Sequence, residues 1–542
     1  METLAVDLST YQRRPIEAAH LERMRALGVT RDHAPGDMLV TMGTPIDTFY
    51  YVEEGEVEAV HPITGGRYGD ATLGPTQFFG EVSFLNGGTS MIGARVVQPS
   101  RILAVPREAM LGLMSQIPEL SDLVITVFSA RRRRQIESDD APLLLIGADV
   151  DRNIRQIAAF AGRNKIPYRS IEIGSGEAVE LSEMCSLSPK TPAVLYGKTD
   201  EIKDPTPQKI AQLFGLDLAL EDHEVCDVLI VGAGPAGTAA GVYAGSEGMS
   251  ALVLEDSTIG GQAGTSSRIE NYMGFPTGIS GADLVWRGEV QAMKFGTRFA
   301  VPRRATAVEK HGDMFDVTLS DGIVVCARAL VVATGVQYRR LPIEGLEALE
   351  GAGIYYAATE VEARYCRQSD AVIIGGGNSA GQAAMYLSRS AWHVHVLVRG
   401  SSLAASMSDY LSSRLEADPN ITIHYQTELQ ALHGGDHLEA VTVIDKAAGQ
   451  DKRIETCGLF IMVGAAPNTA WLSGLVDLDD KGFVLTGQAA GATSAFDTSQ
   501  PGIFAVGDVR AGSVKRVASA VGEGSVVISR VWDYINSETS QG

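Results

Sequence analysis

The chain has 542 residues, 45 Lys+Arg against 66 Asp+Glu, and a formal net charge of −21. That length exceeds what one hydrophobic core organises, so three or more domains are expected. The charge argues against nucleic acid, whose phosphates it repels, while 45% hydrophobic and 20% charged residues are ordinary for a globular protein. No apolar run approaches a membrane span, and Met1–Asp7 has neither a basic stretch nor a long apolar core. Five scattered cysteines give no disulfide framework, so a cytoplasmic protein without membrane or nucleic-acid partners is expected.

Residues 1–137 read as short strands punctuated by Gly36, Gly43, Gly55, Gly65, Gly74 and Gly80. Thr48–Val52 and Glu56–Val60 look like a hairpin turning at Glu54-Gly55, flanked by amphipathic helical segments at Ile16–Leu27 and Ser121–Arg133. Together with Phe79-Gly80-Glu81-Val82-Ser83-Phe84-Leu85, this pattern resembles the cyclic-nucleotide-binding β-roll. The resemblance implies effector contacts at Gly80 and Glu81, the latter on a ribose hydroxyl. It also implies an arginine for the cyclic phosphate, but that place holds Met91, and Arg95 comes too late to reach the same pocket. A buried phosphate without a cation lacks its strongest partner, so a regulatory or dimerisation module that has lost cyclic nucleotide is expected. Retained binding stays open. The Arg131–Arg134 run, beside Glu137, Asp139 and Asp140, reads as a solvated helix end.

At Pro142 the pattern changes. Over 142–218 the order is strand Leu143–Ile146, helix Asn153–Arg163, strand Tyr168–Ile173, strand Thr191–Tyr196 and helix Thr206–Phe214. This order resembles a small thioredoxin- or glutaredoxin-like domain. The resemblance implies a cis peptide at Thr191-Pro192 facing a redox loop at 147–152. That loop has no cysteine, and Cys185, the one thiol in this domain, reads as structural.

Cys226–Gly237 is an apolar strand running into a glycine turn that opens a helix. Gly232 permits the turn, and Gly234-Pro235-Ala236 lets backbone approach a pyrophosphate. Gly237 lets helix and strand pack, placing phosphate on the helix N-terminus. The next apolar run, Ala251–Leu254, ends at Glu255, positioned for adenosine ribose hydroxyls. Ala371–Ile374 repeats the pattern into Gly375-x-Gly377-Asn378-Ser379-Ala380, followed by a helix and the strand His393–Val398. Two such units imply two nucleotides, and the usual pair is a flavin and a nicotinamide. Here Val398 and Arg399 take the acid's place, which suits the 2′-phosphate of NADPH; NADH, with Arg399 as a plain surface residue, stays open.

Further segments match in order: Gly260-Gly261-Gln262, Ile269–Tyr272, Val332-Ala333-Thr334-Gly335, Val463 to Asn468, Val506–Val509 and Arg516-Val517-Ala518. Residues 224–538 thereby resemble the low-molecular-weight thioredoxin reductases. The resemblance implies an α/β fold with two Rossmann-like domains and a homodimer. The FAD domain is split into 224–338 and 470–538, and the NAD(P)H domain, 339–469, is inserted between hinges near Gly335–Leu341 and Gly464–Thr469. It implies that Gly261, Gln262 and Asn271 lie along the flavin with Ala333, Thr334 and Gly335. Gly507 and Asp508 meet the ribityl chain, and Arg516, Val517 and Ala518 cover the ring. Trp532 and Tyr534 are further candidate ring covers.

The resemblance also implies a dithiol just before the second glycine turn. Its two positions hold Ala357 and Glu360, which cannot form a disulfide, although Glu360 is a candidate flavin contact. Cys366 has no cysteine neighbour along the chain, and Cys226, Cys326 and Cys457 read as core or edge thiols. The expected function is an FAD-dependent NAD(P)H oxidoreductase that delivers electrons to oxygen, a quinone, a redox protein or a small molecule. No catalytic residue beyond positioning is required of the nicotinamide half-reaction. A disulfide reductase using non-standard or partner cysteines, and a non-enzymatic nucleotide or redox sensor, are the alternatives. His393 and His395 share a strand face without a third ligand, so no metal is expected.

Overall fold

Glycine-punctuated apolar runs become separate sheets in the computed structural model, which describes residues 15–539 except 61–64, 91, 138–140, 185–186, 189–190, 197–199, 267, 339–340, 351, 357, 359–362, 364–365, 367–368, 405, 436 and 473. In the first sheet Thr48–Val60 is one strand, not a hairpin. It pairs antiparallel with Gly93–Pro106 from Thr48↔Pro106 to Val60↔Gly93. The register shifts around Glu54 and Glu56, so Gly55 (φ 93°) forms a bulge against Ser100 rather than a turn. Two strands, Val29–His33 and Arg67–Leu73, flank this pair, and the helix Pro118–Glu137 packs Phe128 into a cluster with Phe49, Phe78 and Phe84.

A four-stranded sheet follows, ordered Asp200–Glu201, Ala193–Tyr196, Leu143–Ile146, Tyr168–Ile171. Its first helix, Arg152–Arg163, is N-capped by Asp151, whose Oδ1 accepts from Ile154 N at 2.9 Å. Pro192 packs on Gly147, at the start of the expected redox loop. Its peptide bond, expected cis, is trans, and Pro192 meets Gly147 in that form; the cis bond among the described residues is Val301-Pro302.

The flavin-type sheet is parallel at its centre: Arg298–Ala300, Ala251–Leu254, Glu224–Val231 and Val324–Val332. Strands covered on both faces need apolar residues at every position, which is why these segments read as continuous hydrophobic runs. Ile503–Ala505 adds itself parallel to Val324–Val332, closing the sheet with residues from beyond the second nucleotide unit. That unit is a five-stranded sheet ordered Ile354–Tyr355, Gly458–Ile461, Ala371–Ile374, Val394–Val398, Ile421–Tyr425. The two connecting segments, Val336–Tyr338 and Ala465–Pro467, pair antiparallel as a double tether.

The N-terminal domains dock on the flavin-type sheet through specific polar contacts. Phe299 lies on the sheet's edge strand, and Asn86 covers it: Nδ2 donates to Phe299 O (3.2 Å) and Phe299 N donates to Oδ1 (2.9 Å). Edge groups that would otherwise be buried unpaired are thus satisfied by one amide. Arg303, 5% exposed, pairs with the buried Asp217 of the connecting segment at 2.5 Å. No described helix is long and apolar enough to cross a membrane.

Candidate functional site

At the first glycine turn, Gly232 has φ 105°, and a Cβ there would collide with Ala333 O. A Cβ on Gly237 would strike Gly232 O, so strand and helix touch backbone to backbone. Gly234 is different. Nothing lies within 4 Å of its Cβ position among the described residues, and it is the extended N-cap of the helix Pro235–Ser246. Open space at the positive end of a helix is what a pyrophosphate requires. Glu255, 8% exposed, accepts from Ala233 N through Oε2 (2.9 Å), and burial pushes its pKa up to about 8.

Gly232, Gly234 and Glu255 border a continuous cleft of about 2270 Å³, several times the volume of a single small-molecule pocket. Gly234, Pro235, Ala236, Glu255, Gly261, Gln262, Asn271, Ala333, Thr334, Gly335, Gly507, Asp508, Arg516 and Val517 line it with Gly232. Gly237 and Ala518 do not; the first lies behind the turn and the second faces solvent. Gln262 Nε2 donates to Val336 O (2.6 Å) and Thr334 Oγ1 to Asn468 O (2.9 Å), fixing the cleft wall to both tethers. Burial raises the pKa of Asp508, an acceptor set in the wall. Its turn is held by Glu523, which accepts from Gly507 N (2.6 Å) and pairs with Arg510 (2.7 Å). No motif pointed to Glu523, because it acts from the far side of the turn. This cradle, glycine space together with a buried carboxylate, fits a dinucleotide flavin.

The second turn opens on the same cleft. Gly375 (φ 147°) lies against Met462 O, and Gly377 caps the helix Asn378–Leu387. Asn378 and Ser379 line the cleft, as do Tyr355, Tyr356 and Ala358. Gly375, Gly377, Ala380 and Arg399 do not line it: Ala380 is fully buried on the inner face of the helix, and Arg399 is exposed just beyond the strand Val394–Val398. Ala357 and Glu360 lie outside the described residues, as do Met91 and Cys185.

The β-roll cassette is built differently. The space beside Gly80 is filled by the Phe128 ring, 2.5 Å from where a Cβ would stand, and Arg131 Nη1 donates to Gly80 O (3.2 Å). Glu81, 4% exposed, accepts from Ser90 Oγ (2.9 Å). Arg95 is drawn to Glu58 (Nε to Oε1, 2.9 Å), away from the cassette. Arg131 and Arg132 are not a solvated helix end: Arg131 stacks over Phe78 and Arg132 Nη2 donates to Lys165 O at 3.2 Å. Arg131 turns back onto its own roll, and Arg132 turns towards the next domain, which packs there. Neither aromatic near the C-terminus covers the cleft, since the helix Val517–Thr539 carries them away. Tyr534 packs on Phe504, and Trp532 is 47% exposed.

The thiols divide into two kinds. Burial pushes Cys226 up to about 12, and Cys326 is raised to about 11. Cys366, however, is not without a cysteine neighbour, because it is hydrogen-bonded with Cys457. Strand pairing between Ala371–Ile374 and Gly458–Ile461 brings them together, which linear spacing cannot show.

Residues 226–524 match the family model described as pyridine nucleotide-disulphide oxidoreductase, and residues 30–117 match that of the cyclic nucleotide-binding domain. A thioredoxin reductase of Streptomyces clavuligerus is 35% identical over 302 residues, 56% of this chain and 91% of that protein. An NADH dehydrogenase of Bacillus subtilis (strain 168) is 29% identical over 314 residues, covering 58% of this chain and 59% of that one. Among solved structures, Lactococcus lactis thioredoxin reductase in its FR conformation superposes with a TM-score of 0.53 at 29% identity, covering 58% of this chain and 99% of that one.

Proposed function

We propose, for a chain that belongs to the pyridine nucleotide-disulphide oxidoreductase family and is an FAD-dependent NAD(P)H oxidoreductase, that its electrons leave for an acceptor other than a disulfide. Oxygen, a quinone, a redox protein or a small organic molecule would serve. The observation that carries this reading is the pair Ala357 and Glu360, standing where the relatives' resemblance puts two cysteines. The flanking Tyr356 and Ala358 line the cleft that both glycine turns share. When bound, FAD supplies the two-electron capacity that takes a hydride and releases electrons onward. The residues of this chain supply binding and position. The Gly234 turn and its helix end hold the pyrophosphate, Glu255 the adenosine ribose, and Asp508 the ribityl hydroxyls. Gly261, Gln262, Asn271, Arg516 and Val517 flank the ring.

Asn378 and Ser379 take the nicotinamide nucleotide at the second turn, and Arg399 meets a 2′-phosphate and favours NADPH. Similarity to a protein named NADH dehydrogenase supports a non-disulfide exit. The same proposal includes a homodimer, the domain division 1–137, 142–218, 224–338 with 470–538, and 339–469, and a β-roll that regulates by docking rather than by binding cyclic nucleotide.

The test is NADPH oxidation by the pure holoenzyme against a panel of acceptors. Turnover with menadione, ferricyanide or oxygen, at least ~10-fold above that with thioredoxin or an aromatic disulfide, is expected. Brisk disulfide reduction would overturn the reading, and flavin reduction without turnover on any acceptor would favour a sensor.

A further inference from the structure

We propose that Cys457 and Cys366 form a peroxide-reactive thiol pair, in which Cys457 is oxidised and Cys366 resolves it as a reversible disulfide. The site is built by the pairing of two strands. Gly458 stands opposite Ala371, so the residues entering each strand meet. Cys457 N donates to Ser369 Oγ (3.1 Å), and Thr456 Oγ1 donates to Asp370 O (2.7 Å). The backbone of Cys366 is held on both sides: its N donates to Ala363 O (3.2 Å), and Ser369 N donates to Cys366 O (3.3 Å). The Cys366 sulfur occupies the space a Cβ on Gly458 would take, so glycine there admits the sulfur beside Cys457.

The two thiols are unequal in the way such chemistry needs. Cys366 is fully buried, whereas Cys457 is partly exposed and can meet a small oxidant. Hydrogen bonds from Cys366 and then Ser369 outweigh burial and lower the Cys457 pKa, with His437 adding to the effect. A low-pKa, accessible thiol beside a second cysteine is the pattern of reversible peroxide oxidation.

The step balances. The Cys457 thiolate attacks one oxygen of a hydroperoxide, the O–O bond breaks, and the leaving alkoxide or hydroxide takes up a proton. The sulfenic acid so formed is attacked by the Cys366 sulfur. The S–O bond breaks, and the departing hydroxide leaves as water with the Cys366 proton. Two electrons pass from the thiol pair to the peroxide.

The pair stands apart from the electron exit discussed above. Neither cysteine lines the cleft, and Gly375 lies beyond the opposite end of Ala371–Ile374, roughly 13 Å along an extended strand. The inference therefore does not rest on the proposed acceptor.

The holoenzyme, with its thiols first reduced, is treated with stoichiometric hydrogen peroxide, alkylated, digested and mapped by mass spectrometry. A Cys366–Cys457 linked peptide is expected, with both thiols recovered after phosphine reduction. Iodoacetamide at pH 7 should label Cys457 at least ~10-fold faster than the comparably accessible Cys326. In C366S, dimedone should trap a sulfenic acid on Cys457. Labelling of Cys457 no faster than Cys326 overturns the proposal. So does peroxide driving Cys457 to sulfinic acid in the native chain while Cys366 stays free.

Discussion

Gly234 and Gly80 each sit in a segment matched to a nucleotide-binding fold, yet the chain treats them in opposite ways. Beside Gly234 there is open space leading into the cleft; beside Gly80 there is the Phe128 ring. The buried carboxylates differ less: both border the large cleft, Glu255 accepting from the backbone of its own glycine turn and Glu81 from Ser90 beside Phe-rich packing. Close packing fills a space wherever apolar groups can reach it, and the gain is burial. The neighbouring Asn86 then turns the cassette helix into a clasp on the flavin-type sheet.

Substitutions can break this contrast, beginning with the largest effect. Gly237→Ala puts a methyl group into the Gly232 carbonyl, and the purified protein should lose essentially all its flavin, read from its visible spectrum. Gly80→Ala in the roll, by comparison, meets the Phe128 ring and should cost stability while leaving the flavin in place. Asp508→Ala removes a half-buried acceptor and should weaken FAD about 10–100-fold, since hydrogen bonds to charged groups are worth about 1.5–3 kcal/mol. Full retention of colour after dialysis would refute its placement.

Asn86→Ala leaves the Phe299 N–H and C=O unpaired at a cost of about 2–4 kcal/mol. The roll should then be released to proteolysis while the flavin spectrum is unchanged. Arg399→Ala should raise KM for NADPH about 10-fold without changing KM for NADH.

The smallest effect is on pH dependence. Glu255 keeps its proton in the folded apo-protein up to about pH 8, against an ordinary value of 4.5. The folded state therefore binds more protons than the unfolded chain across that window, and stability falls as pH rises through it. The apo-protein Tm should drop by about 2–4 °C between pH 5.5 and 8.5, less in Glu255→Gln and less with FAD bound. An unchanged slope in Glu255→Gln would assign the drop to other groups.

The fold was largely legible in the sequence where backbone chemistry dictates residue type. Gly232, Gly237 and Gly375 stand at positions no side chain could enter, and Glu255 closes a strand of four apolar residues. What stayed hidden depends on packing between segments distant in sequence. Gly55 looked like a turn because a bulge and a turn both want positive φ; only pairing with Gly93–Pro106 separates them. Arg131 and Arg132 looked solvated because their run ends among acids, but Phe78 and Lys165 receive them. Cys366 and Cys457 meet through a parallel strand pair, which leaves no local signature.

The central claim, that hydride enters a flavin with no sulfur pair behind it, is tested most directly by counting electrons. Air-oxidised holoenzyme is titrated anaerobically with NADPH while flavin absorbance is followed, beside a sample whose thiols were first reduced and alkylated. One equivalent of NADPH per FAD should complete the reduction in both cases. Uptake of a second equivalent by the air-oxidised sample alone would reveal a disulfide in communication with the flavin and contradict the account.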